Sequence, residues 1–126
     1  CQLSNIRATT ISDETGNGPI TLTKQHAAKA WGDYNQSTNA VLGSFNISSV
    51  TDFATGRFDA VLATNMSSTA YSVVASSIGN NSSYSNTCSD LDAKATDGLR
   101  MRVFHNSSHA SADLTTNSFV FHGDLA

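Results

Sequence analysis

Between Leu99 and Val103 the side chains alternate strictly: Leu99, Met101 and Val103 fall on one side of an extended chain, Arg100 and Arg102 on the other. A period of two belongs to a β-strand with one face on a core and the other in water, whereas a helix would scatter the same residues around its axis. The pattern recurs along the chain. Phe58, Ala60 and Leu62 oppose Arg57 and Asp59, and Tyr71, Val73 and Ala75 share one face of 71–78. Val41, Gly43, Phe45 and Ile47 oppose Ser44, Asn46 and Ser48. Residues 118–125 place Phe119 and Phe121 inward, where they meet Trp31, Phe45 and Phe58. The turn-forming stretch Thr51 to Gly56 joins 41–48 to 57–64 as a hairpin.

Composition agrees with this reading. Ser, Thr and Asn number 19, 14 and 11. Together they fill 44 of the 126 positions, and these residues favour turns, strand edges and solvated strand faces. Charged residues make up 13%, against about 25% in an ordinary soluble domain. At 126 residues, one core is the simplest organisation. The expected fold is all-β: an antiparallel β-sandwich or jelly roll of six to eight strands with an extended N-terminal segment. Its core is expected to hold Phe45, Ile47, Phe58, Leu62, Met101, Val103, Phe119 and Phe121.

Other stretches set the boundaries. Residues 12–19 (SDETGNGP) concentrate Gly, Asp and Asn with the only proline, dividing an extended attachment segment, 1–19, from a domain spanning 20–126. Leu3, Ile6, Ile11 and Ile20 lie in or beside a segment too short to bury them alone, and are the candidate assembly contacts. Helix-favouring residues run together at 23–30 (TKQHAAKA), but without an apolar stripe, so 29–35 reads in preference as the first strand of the main sheet. Residues 79–96 read as a long surface loop. The first residue is Cys1 and not Met, so the chain is read as processed or as part of something longer.

Chemistry is sparse. A net charge of −3 with seven scattered basic residues gives no electrostatic footprint for nucleic acid, and no apolar run approaches the roughly 20 residues needed to cross a bilayer as a helix. Cys1 and Cys88 are expected to be free thiols. There is no G-x-S-x-G elbow, H-E-x-x-H pair or Gly-rich phosphate loop, and no enzymatic activity is expected. His105 and His109 stand four apart but follow a strand, and Asp90, Asp92 and Asp97 lack the spacing of an EF-hand loop. Both groups read as solvated, with no metal and no cofactor. Six N-x-[ST] sequons begin at Asn35, Asn46, Asn65, Asn80, Asn81 and Asn106, a number that the Ser, Thr and Asn content alone accounts for. Asn81, Tyr84, His105 and His109 are the candidate receptor-facing loop residues.

Four stretches carry a resemblance: KAWGDYN at 29–35, SFNISSVTD at 44–52, TGRFDAVLATNM at 55–66 and AYSVVAS at 70–76. In this order they resemble a β domain of virion structural, tail-fibre-like proteins of tailed phages, of the type found in phages of marine bacteria. The span that holds them, 29–76, is a little over a third of the chain. The sequence departs from that pattern at Gly32-Asp33, where an apolar-polar pair is usual, and at Phe53-Ala54, where Asn-Gly is usual. The resemblance implies a virion surface protein, a fibre or tip domain or a capsid decoration, acting in assembly and host attachment. It further implies a homo-oligomer, a trimer, in contact with other virion proteins and with a host surface glycan. It supplies no catalytic residue. The alternative is a secreted bacterial carbohydrate-binding or adhesin module, which would be a monomer with aromatic residues along one sheet face.

Overall fold

The computed structural model describes residues 27–78, 88–105 and 108–126, with the backbone alone for 88–92. These residues form eight strands: β1 (Ala30–Asn35), β2 (Ala40–Phe45), β3 (Ile47–Ala54), β4 (Arg57–Leu62), β5 (Ser72–Ile78), β6 (Cys88–Ala95), β7 (Gly98–Phe104) and β8 (Thr116–His122). They pair antiparallel in two four-stranded sheets, ordered β2-β1-β8-β5 and β3-β4-β7-β6, packed face to face as a β-sandwich. The pairs β1–β2, β3–β4 and β6–β7 each stay within one sheet.

Alternation in the sequence becomes burial in the fold. Phe58, Ala60 and Leu62 of β4, Leu99, Met101 and Val103 of β7, and Phe119 and Phe121 of β8 all point into the core. Tyr34 and Tyr71 join them, with ring centroids 5.0 Å apart for Tyr34 and Phe58 and 5.7 Å apart for Tyr71 and Phe121. Gly32 permits the closest approach between the sheet and an aromatic ring, since a Cβ there would lie 2.4 Å from Phe119 Cζ.

Each end of the core is tied by polar groups. The Tyr34 hydroxyl donates to Asn39 Oδ1 at 2.6 Å, and Gln36 Nε2 lies within hydrogen-bond distance of Asp52 Oδ1 and of the carbonyls of Ala54 and Arg57. Burial, with the carboxylates of Asp52 and Asp113, raises the Tyr34 pKa above its ordinary value. At the other end, the Tyr71 hydroxyl lies within hydrogen-bond distance of the carbonyls of Ala95 and Gly98, and burial together with Asp97 raises its pKa too. Hydrogen bonding of these kinds satisfies polar groups that burial would otherwise penalise.

Four expectations are corrected. The stretch 41–48 is not one strand, because Asn46 adopts a left-handed conformation (φ 55°) that ends β2 and starts β3 in the opposite sheet. Asn tolerates that region, and its side chain secures the corner. Asn46 Oδ1 accepts from Thr64 N at 2.8 Å, while Nδ2 donates to the carbonyls of Lys29 and Thr64. The sequon at Asn46 thus falls on an occupied structural amide and not mid-strand. Second, the same switch puts Phe45 on the outside, and Trp31 lies beside it, so neither belongs to the core around Phe119 and Phe121. Third, β3 runs on through Asp52 and Phe53, leaving only Thr55-Gly56 as the turn into β4. Fourth, residues 88–95 are a strand within the expected loop, held by the pairing of β6 with β7.

Candidate binding face

The two outer faces of the sandwich differ in chemistry. On β3-β4-β7-β6, Asp59 and Arg100 are register partners joined by two short contacts, Nε to Oδ1 at 2.7 Å and an Nη to Oδ2 at 2.9 Å. The Arg100 guanidinium also lies 3.4 Å from the ring centroid of Phe53. Phe53 is the one exposed large apolar side chain among the described residues of that sheet. A shallow groove of about 290 Å³ opens beside the β6–β7 turn, lined by Asp59, Val61, Ala93, Ala95, Gly98 and Arg100. Lys94 and Asp97 also line it, and of its charged residues Asp59 and Arg100 satisfy each other.

The sheet β2-β1-β8-β5 carries most of the exposed apolar side chains. On its outer face Trp31, Phe45, Val74 and Ile78 are 42 to 65% exposed. The pairing registers arrange four residues in a line across all four strands: Phe45 opposite Trp31, Trp31 opposite Val120, and Val120 opposite Val74. The neighbouring line is small and polar, Gly43, Asp33, Ser118 and Ser76 in the same strand order. The indole of Trp31 lies against Gly43, where a Cβ would be in van der Waals contact, 3.4 Å from Cη2 and Cζ3. The Ser118 hydroxyl donates to Asp33 Oδ1 at 3.4 Å. No catalytic constellation is needed for such a face to function. It offers aromatic and aliphatic area beside one carboxylate and two hydroxyls.

The expected site residues are distributed differently. His105 and His109 sit in the β7–β8 connection, where His105 N donates to Ala110 O at 2.9 Å and His109 N donates to His105 O at 2.8 Å. His109 is exposed in a left-handed conformation (φ 55°), and its ring stacks on Phe104 with centroids 5.9 Å apart. His105 is half-buried. Among the described residues, no three His, Cys, Asp or Glu side chains gather into a set that holds a metal ion. Leu3, Ile6, Ile11, Ile20, Asn81, Tyr84 and Cys1 lie outside the described residues, as do the side chains of Cys88, Asp90 and Asp92.

Strict alternation does not mark this face, although a signal for it exists in the sequence. Val73-Val74 and Phe119-Val120-Phe121 are unbroken apolar runs, and Ala30-Trp31 is another. Such runs are how strands covered on both faces read. No protein-family model, curated protein or solved structure matches the chain.

Proposed function

We propose that this chain is a non-enzymatic surface module of a virion, a fibre or tip domain or a capsid decoration, which holds its place in an assembly through the outer face of β2-β1-β8-β5. The observation that supports this most is the outward line Phe45–Trp31–Val120–Val74, exposed at Phe45, Trp31 and Val74 and half-buried at Val120, which crosses every strand of that sheet. Contiguous exposed apolar area of this kind usually marks an interaction surface. The virion setting rests on the resemblance at 29–76, which also assigns attachment to residues 1–19 and host contact to the loops. Mass spectrometry of purified particles tests the reading. A fixed copy number relative to the major capsid protein is expected, and absence from the particles contradicts it.

One observation favours a second reading, a glycan-binding module. The indole of Trp31 lies beside Gly43 with the Asp33 carboxylate and the Ser118 hydroxyl next to it. An exposed aromatic ring flanked by hydrogen-bonding groups suits a sugar ring. Val74 and Val120 suit a protein surface better, and they occupy half of the line.

A further inference from the structure

We infer that the outer face of β2-β1-β8-β5 is self-complementary and takes a second copy of this chain, face to face, about a two-fold axis running along the strands. This rests on the assembly reading above and adds the partner and the pairing.

The line across the sheet is polarised by size. Aromatic residues occupy the β2 and β1 half, Phe45 and Trp31, and β-branched aliphatic residues occupy the β8 and β5 half, Val120 and Val74. Rotation by 180° about an axis along the strands reverses the line and leaves the level along each strand unchanged. Phe45 then faces the partner's Val74, and Trp31 faces the partner's Val120. Large side chains meet small ones, the condition for close packing between layers. The neighbouring line obeys the same operation. Asp33 faces the partner's Ser118, a hydroxyl able to donate to it, and Gly43 faces the partner's Ser76. Rotation about an axis along the line itself would instead set Phe45 on the partner's Phe45 and Trp31 on the partner's Trp31, large side chain against large, and would carry the line through Asp33 and Ser118 away from its own copy. In the first arrangement the strands of the two copies run aligned, as they do in ordinary sheet-on-sheet packing.

The available area bounds the affinity. Four strands of six or seven residues span about 19 by 20 Å, about 400 Å² per copy before side-chain relief. Two such faces meet near the roughly 1,000 Å² in total that separates specific contacts from incidental ones. The pair is therefore reversible, and it forms as concentration rises through about the micromolar range. It is also isologous, one patch meeting itself, so this face does not build a threefold ring.

Sedimentation velocity of the full chain across a concentration series tests the inference, with Phe45→Lys, Val74→Glu and the double variant alongside wild type. Both positions are more than half exposed in one copy, so folding is expected to survive, and thermal melts verify it. A monomer–dimer equilibrium is expected for wild type. Each single variant should weaken it at least about tenfold, because it sets a charge against an apolar partner residue. The double variant should recover to within roughly threefold of wild type, because Lys and Glu then face each other across the axis. Within one copy the two positions stand three strand spacings, about 14 Å, apart, so intramolecular pairing does not explain recovery. Failure of the double variant to recover overturns the pairing, as does a wild-type trimer. A wild-type monomer at every concentration overturns the second-copy partner, and Trp31 emission that then changes on adding an oligosaccharide supports the glycan reading. Particle copy number judges the assembly reading separately: a monomer present in particles at fixed stoichiometry refutes only the pairing.

Discussion

The two outer faces of this sandwich come from four-stranded sheets of the same fold, yet one pairs charge with charge and the other presents apolar side chains to solvent. On β3-β4-β7-β6 the outward residues include Arg57, Asp59, Arg100 and Arg102, with Asp59 and Arg100 paired and Phe53 covered by a guanidinium. On β2-β1-β8-β5 the outward positions include Trp31, Phe45, Val74 and Val120, and nothing among the described residues covers that line. Both sheets bury their inner faces in one core. The comparison separates what folding requires from what it does not: the inner residues of both sheets are needed for one copy to fold, and the outer apolar line is not.

The largest effect should therefore come from the shared core. Phe58 is 1% exposed and packs against Tyr34 and Phe119, so Phe58→Ala should cost about 3–5 kcal/mol in chemical denaturation. Unchanged stability would break the division between inner and outer residues. Next comes the corner that assigns β2 and β3 to different sheets. Asn46→Ala loses three side-chain hydrogen bonds and a tolerated left-handed conformation, and should cost about 2 kcal/mol. Asn46→Gly should recover part of this, since glycine relieves only the backbone. The Asp59–Arg100 pair, about a third exposed on each side, should contribute about 0.5–1 kcal/mol in a double-mutant cycle, less at high salt. The smallest effect is expected at Val74, 65% exposed. Val74→Ser should leave the dilute protein's melting temperature within about one degree while weakening self-association.

Strands that set apolar against charged or polar residues were legible in the sequence: β4 and β7 came directly from Phe58, Ala60 and Leu62 and from Leu99, Met101 and Val103. Others were obscured for physical reasons. The residues of β6, CSDLDAKA, carry no alternation, because the strand is held by pairing with β7 at the edge of its sheet. The break at Asn46 leaves no mark on a hydrophobic pattern, since one left-handed residue redirects the chain without changing which residues are apolar. That single conformation reversed the expected side of Phe45 and hid the face. Val74 and Val120 carried the remaining information, as outward residues inside apolar runs. A run of that kind does not say whether the second covering layer belongs to the same chain.

Trp31 provides the most direct measurement, because it is the only tryptophan and stands in the middle of the outer line. Its emission and its quenching by a neutral quencher should be followed from dilute to concentrated protein, with sedimentation recorded in parallel. The account predicts solvent-exposed emission and efficient quenching when dilute, then a blue shift and loss of quenching that track dimer formation. Dimer formation with unchanged Trp31 emission and quenching would contradict it, because the contact would then lie elsewhere on the molecule.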